Sequence, residues 1–135
     1  MSNSWVYDLE TKVYTIVKKR ALETLEGTYP TINFTTSESV DADVEFPTVL
    51  IYELPGPEAG RSTESSEISG VLKTDQIKVF TNTGRSDARY ILQTIIEIYK
   101  ELNFEANSLI EVTKDSDVYC ALARVRRYIG SHDTL

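Results

Sequence analysis

Cysteine and histidine, the side chains that most often supply nucleophiles and metal ligands, occur once each in this chain. Cys120 lies in an alternating segment, and His132 lies in the C-terminal stretch 130–135, which we expect to fray. Nucleophilic catalysis needs an activating base beside the nucleophile, and a metal site needs several matched ligands. The spacing of the two residues also differs from the patterns of known cysteine proteases. We therefore predict no catalytic residue and no metal site.

Three carboxylates, Asp41, Asp43 and Glu45, alternate along the chain in a way that could hold a divalent cation. A calcium-binding loop also needs a glycine at its turn and a distal bidentate glutamate, and this segment lacks both at the required spacing. The sequence therefore favours a solvated connector over a calcium site.

The segment Gly84-Arg85-Ser86 places a glycine and a hydroxyl at the start of a helical pattern. A phosphate-binding loop needs several spaced glycines and a following lysine, which this segment does not have. We interpret it as a turn that leads into a helix, with Ser86 as the cap and Asp87 as a first-turn acid. No cofactor is predicted.

The elements that must position these residues follow from the hydrophobic periodicity. Apolar residues at helical spacing predict helices over 5–25 and 86–102. Alternating and β-branched segments predict strands over 31–36, 47–54, 71–81, 109–113 and 118–129. The order α-β-β-β-α-β-β predicts an α+β fold, in which a single mixed or antiparallel sheet of about five strands carries two main helices on one face. At 135 residues we expect one domain over 1–135, with a polar loop or mobile hairpin at about 55–70.

The last predicted strand indicates how such a protein could act. Alternation places Ala121, Ala123 and Val125 on one face, where small side chains suit close packing under a helix. With both helices on that side, the opposite face of the sheet would stay partly bare in a monomer. We therefore predict a subunit or partner interface on that opposite face, formed by Leu50, Tyr52, Phe80, Leu122, Arg124, Arg126 and Tyr128.

Two further hypotheses concern charged residues. The alternative to an interface is that Arg124, Arg126 and Arg127 form a solvated or salt-bridged edge that binds no other protein. In the segment 55–70, whose polar composition cannot bury enough apolar surface to order itself alone, the candidate assembly residues are Arg61, Glu64 and Glu67.

Composition and charge exclude several classes of function. The net charge of −7, from 21 acidic and 14 basic residues, repels a phosphate backbone, so nucleic acid is not expected to be gripped. No apolar run approaches the roughly 20 residues that a membrane-spanning helix needs, so no membrane partner is predicted. The N-terminal segment lacks the pattern of a secretory signal, and a single cysteine agrees with a reducing compartment. We therefore expect the protein to reside in the cytosol.

The order of these segments resembles one family, the tail terminator or tail-to-head joining (tail completion) proteins of long-tailed bacteriophages. An N-terminal helix leads to the strand motif Phe46-Pro47-Thr48-Val49-Leu50-Ile51-Tyr52. After a polar excursion come Asp75-Gln76-Ile77-Lys78-Val79-Phe80-Thr81, a helix that starts at Ser86-Asp87-Ala88, and a closing Ala-Arg-Val-Arg-Arg-Tyr strand. The resemblance covers most of the chain through the order of its elements, not through a signature motif.

The resemblance implies an α+β virion subunit that forms a ring, usually a hexamer, at the head-proximal end of the tail tube. Such a ring ends tube polymerisation and joins the tail to the neck. Its partners would be copies of itself, the tail-tube protein and a neck or head-completion protein, with DNA only as passing, non-specific cargo. The protein would be found in the virion tail or neck, and in the host cytoplasm during assembly. It would be neither an enzyme nor a cofactor carrier.

Alternatives remain open from the sequence. Within the same class, the module could be a head-completion or neck protein, or the terminator of a contractile tail. In a different class, it could be a small cytosolic enzyme or ligand-binding domain that uses a cleft beside the sheet, although a matched set of catalytic groups is missing.

Overall fold

The computed structural model describes residues 4–36, 46–54, 58–61, 68–106, 110–130 and 133. The helices are α1 (Ser4–Leu25) and α2 (Arg85–Glu101). The strands are β1 (Asn33–Thr35), β2 (Thr48–Leu54), β3 (Glu58–Arg61), β4 (Ile68–Thr81), β5 (Glu105–Ala106), β6 (Glu111–Asp115) and β7 (Val118–Gly130).

The strands form one mixed sheet in the order β1-β2-β4-β7-β5, with β3 beside β4 and β6 beside β7. Only the β1–β2 pair is parallel among the described strands. The predicted α+β class and the predicted order of the main elements are confirmed. Two short strands, β3 and β5, are present in addition to the predicted ones. β3 lies inside the segment predicted as a loop or hairpin and pairs with the start of β4, and β5 follows α2 directly.

Both helices owe their stability to apolar rows that face the core. In α1, four residues spaced four apart, Val13, Val17, Ala21 and Leu25, are fully buried. The predicted stripe of α2 is buried from Ala88 to Tyr99, and α2 packs on β4 and β7 while α1 packs on α2. Burial of these stripes contributes more to helix stability than intrinsic propensity does. The helices are therefore anchored to one side of the sheet.

The start of α2 differs from the prediction. The cap residue is Gly84 and not Ser86, while Asp87 lies in the first turn as predicted. Gly84 has φ 156° and ψ 164°, a backbone conformation that is essentially restricted to glycine. Because the chain turns through this conformation between β4 and α2, the glycine fixes where the helix begins.

The core lies between the helices and the sheet face that they cover. That face carries Val49 and Ile51 on β2, Ile77 and Val79 on β4, and Ala121, Ala123 and Val125 on β7, all of them buried. Directly opposed residues such as Ile51, Ile77 and Ala123 form rows across the sheet. The small side chains of β7 lie under α2, as the alternation predicted.

Candidate subunit interface

The sheet face that points away from the helices carries the residues predicted to form an interface. We call it the outer face and define it by the side chains of Leu50, Tyr52, Leu72, Gln76, Lys78, Phe80, Leu122, Arg124, Arg126 and Tyr128. Residues that oppose each other in register share a face, so β2, β4 and β7 contribute parallel rows. Tyr52, Gln76 and Arg124 form one row, and Leu50, Lys78 and Leu122 form the next. The sequence-predicted residues are therefore brought together on one surface.

A chain of hydrogen bonds crosses this face through Gln76. Arg124 Nε donates to Gln76 Oε1 at 2.7 Å. Gln76 Nε2 in turn donates to Tyr52 Oη, and Lys78 Nζ lies 5.8 Å from the centroid of the Tyr52 ring. No other described residue bonds to the two Nη nitrogens of Arg124. The hydrogen bond to Gln76 fixes the Nε side of the Arg124 guanidinium and leaves its two Nη nitrogens available to a partner.

Arg126 and Tyr128 extend the outer face along β7. Arg126 is exposed and opposes Glu105 of β5 in register, yet within the described part of the chain its guanidinium has neither an ion pair nor a hydrogen bond. Tyr128 is 64% exposed. A groove runs beside these two side chains, and its lining includes Leu72, Asn103, Glu105 and Arg127. This end of the face combines the exposed side chains of Arg126 and Tyr128 with the aliphatic side chain of Leu72.

Exposure is uneven over the predicted interface. Leu50 lies on the outer face but is only 3% exposed, so little of its own surface is left for a partner. Tyr52, Phe80 and Leu122 are half-buried, and the β7 residues Arg124, Arg126 and Tyr128 are exposed. The surface that a partner can reach is therefore concentrated on β7.

The candidate assembly loop is described only in part. Arg61 is the last residue of β3 and opposes Ile68 at the start of β4. Glu64 and Glu67 lie outside the described residues. A role of this segment in assembly stays a prediction.

Arg127 differs from its two neighbours on β7. Alternation turns it to the helix side, where its Nη1 donates to the carbonyl of Leu102 at 3.0 Å, just beyond the end of α2. Its Nη2 lies 4.0 Å from Asp133 Oδ2. A cation near the C-terminal end of a helix interacts favourably with the helix dipole and the last carbonyls. Arg127 is thus held within the chain, whereas Arg124 and Arg126 face outward.

A polar cluster that was not predicted from the sequence lies on the helix-covered face. Lys73 Nζ donates to Glu53 Oε2 at 2.8 Å and to Asp75 Oδ1 at 2.9 Å. Tyr99 Oη, from α2, donates to Asp75 Oδ2 at 2.7 Å. Burial, together with the Asp75 carboxylate, raises the pKa of Tyr99 well above its usual range. The cluster ties β2, β4 and α2 together with matched donors and acceptors.

A signal for this cluster was available in the strand pattern. Lys73 and Asp75 have the same parity as Ile77 and Val79, so the alternation that placed the two aliphatic residues in the core also placed the two charges there. Buried charges of opposite sign two residues apart on one strand are expected to pair.

Of the remaining candidates for chemistry, the structure describes only Cys120. Burial raises the pKa of the half-buried Cys120 thiol, and the nearby Lys78 ammonium opposes that rise. Within the described ranges no group of His, Cys, Asp and Glu side chains is placed to hold a metal ion. Asp41, Asp43, Glu45 and His132 lie outside those ranges. None of the described helices has the length and hydropathy to cross a membrane.

Comparison with models of known protein families and with curated proteins finds no match. Solved structures do match, and one of them is the structure of the bacteriophage SPP1 gp17 protein, at 22% sequence identity and a TM-score of 0.45. The match covers 89% of this chain and 93% of that chain. At this identity and TM-score, the similarity assigns neither a family nor a function.

Proposed function

We propose that this protein is a structural subunit of a bacteriophage virion that assembles through the outer face of its sheet into a closed ring, a hexamer. The ring occupies the head-proximal end of the tail tube, stops its polymerisation and joins the tail to the neck. The observation that carries the proposal is the exposed surface of Arg124, Arg126 and Tyr128 on β7, which lies on a sheet face that the two helices leave uncovered.

The composition of that surface supports an assembly role. Tyrosine and arginine are enriched in protein interfaces and dominate their energetic centres. Here Tyr128 is 64% exposed, and Arg124 is already fixed by Gln76, so ordering it against a partner costs less conformational entropy. Phe80 and Leu122 supply half-buried apolar area beside them. The outer face thus has the properties of a preorganised binding surface.

The sequence resemblance supports the place in the virion. It implied an α+β subunit, and this chain has that fold. The net charge of −7 is compatible with a channel through which DNA passes without adhering. The partners in this proposal are identical copies, the tail-tube protein and a neck or head-completion protein, and the setting is the virion.

The test is reconstitution with the tube and neck proteins from the same genome. Tube protein that polymerises alone should give long tubes of unregulated length, and addition of this protein should give tubes with a ring at one end. Negative-stain microscopy would show the rings, and native mass spectrometry would give their copy number. Binding to the neck protein without any effect on tubes would favour a head-completion role instead. A single copy per particle, or an open filament, would contradict the proposal.

A further inference from the structure

A groove of about 590 Å³ lies where β7 runs past the start of β5. Arg126 and Tyr128 line it from the outer face of the sheet. Asn103 and Glu105 line it from the segment that follows α2. A volume of this size is in the range of ligand-binding clefts, so the groove can hold part of another molecule.

The groove is open because the chain turns at Asn103. This residue has φ 65°, in the left-handed region that often ends a helix, and it follows α2 directly. β5 consequently begins only at Glu105, which opposes Arg126. On this side of β7, Tyr128 therefore has no partner strand among the described residues.

The backbone of Tyr128 faces the open side. Gly130 N donates to Asp133 Oδ2 at 2.7 Å and Gly130 O accepts from Asp133 N at 3.1 Å, so the backbone groups of Gly130 point away from β4. Backbone groups in an antiparallel pair alternate between the two sides of a strand, so those of Tyr128 point the same way. No described backbone group bonds to them there. One N–H and one C=O are thus available to an added strand.

The side chains that line the groove add a requirement of charge. Arg126 has neither an ion pair nor a hydrogen bond among the described residues, although Glu105 opposes it in register. Arg127, in contrast, is held by the carbonyl of Leu102. A guanidinium forms its strongest contacts with carboxylates. Because Glu105 repels further negative charge, the best match is a ligand with a carboxylate near Arg126 and a hydrogen-bond donor near Glu105.

We propose that this groove binds an extended segment of another polypeptide, which adds as a short strand beside Tyr128 and brings a carboxylate to Arg126. Strand addition gives affinity through main-chain hydrogen bonds and specificity through alternating side chains. The ring of Tyr128, with the side chain 64% exposed, supplies contact area on the same face. The groove belongs to a single subunit, so this inference goes beyond the proposed ring and does not depend on it.

Titration of the isotope-labelled protein with the peptide acetyl-Thr-Val-Asp-Val-Thr-amide, followed by NMR spectroscopy, provides the test. Alternation puts the aspartate and the threonines of this peptide on one side of the strand, where they can meet Arg126 and Glu105. The amide signals of Arg126 and Tyr128 should shift, and the Tyr128 amide proton should exchange more slowly because it gains a hydrogen bond. The same peptide with asparagine in place of aspartate should bind about three- to tenfold more weakly.

Substitutions in the groove check the charge assignment. Arg126→Gln should abolish the preference for the aspartate peptide. Glu105→Gln should strengthen binding of that peptide by about two- to threefold, because a repelling carboxylate is removed. The matched control is Arg89→Gln, which removes a positive charge from an exposed position of α2 and should leave binding unchanged.

Three results would overturn the proposal. The first is equal binding of the aspartate and asparagine peptides. The second is a preference for aspartate that survives Arg126→Gln. The third is unchanged exchange of the Tyr128 amide in the presence of bound peptide, which would show that no strand is added at this edge.

Discussion

Lys73 Nζ lies 2.9 Å from Asp75 Oδ1, and the two side chains are only 1% and 4% exposed. Charges in such a place lose the hydration that they would have in water, and they are tolerated because each is paired and hydrogen-bonded. The pair is completed by Glu53 on the next strand and by Tyr99 on α2. A polar contact thus joins the sheet to the helix that covers it.

Removal of the cation should therefore destabilise the protein strongly. Lys73→Met keeps the volume but leaves the Asp75 carboxylate buried without its charge partner, and we expect a loss of about 3–5 kcal/mol in unfolding free energy. Tyr99→Phe removes one hydrogen bond and should cost about 1–3 kcal/mol. Urea denaturation of the monomer would measure both. The control is Lys100→Met on the exposed side of α2, where the change should stay within about 0.5 kcal/mol. A Lys73 variant as stable as that control would show that the buried pair is not needed.

Alkaline pH should weaken the same cluster. Burial and the Asp75 carboxylate raise the pKa of Tyr99 in the folded protein, whereas in the unfolded chain it titrates near its ordinary value of about 10. Unfolding then releases a proton above that value, so the stabilisation is complete below about pH 10 and falls as the pH rises toward the folded pKa. The stability difference between wild type and Tyr99→Phe should therefore shrink from pH 8 to about pH 11. The same difference at both pH values would contradict this assignment.

Gly84 should be the glycine at which substitution is most harmful to the start of α2. Gly84→Ala would meet no atom within 4 Å, so its cost comes from the backbone conformation at φ 156° and should be about 1–3 kcal/mol. Gly27→Ala, which also meets nothing within 4 Å and has no such φ, provides the matched control and should be neutral or slightly stabilising. Thermal denaturation would compare the two. Equal melting temperatures would show that α2 can begin without glycine at this position.

Side-chain direction on a strand is a local property, whereas solvent exposure is not. Alternation along one strand correctly placed Arg124, Arg126 and Tyr128 on the face opposite the small residues, because side-chain direction depends only on the strand itself. Solvent exposure also depends on distant parts of the chain. Leu50 lies on the same face as these residues, yet it is only 3% exposed.

The features that sequence reasoning missed have similar causes. The cap of α2 was assigned to a hydroxyl at Ser86, but the turn needed a backbone conformation that Gly84 alone supplies. The pair Lys73 and Asp75 was missed because charged side chains on a strand usually face solvent, and the hydrogen bond that Asp75 accepts comes from Tyr99, 24 residues further along the chain.

Cys120 offers a chemical probe of the outer face. It opposes Phe80 in register and is half-buried, and burial raises the pKa of its thiol. Only the thiolate reacts quickly with alkylating reagents, so the folded monomer should react slowly at pH 7 and faster as the pH rises. If subunits or partners cover this face in the ring, assembly should slow alkylation further, by about tenfold or more at a fixed pH.

Mass spectrometry of timed reactions with N-ethylmaleimide would measure the rates, with urea-unfolded protein as the reference for a fully accessible thiol. Cys120→Ser should assemble normally, because the thiol itself is not required. Equal rates in the monomer and the ring would place the interface away from this part of the outer face.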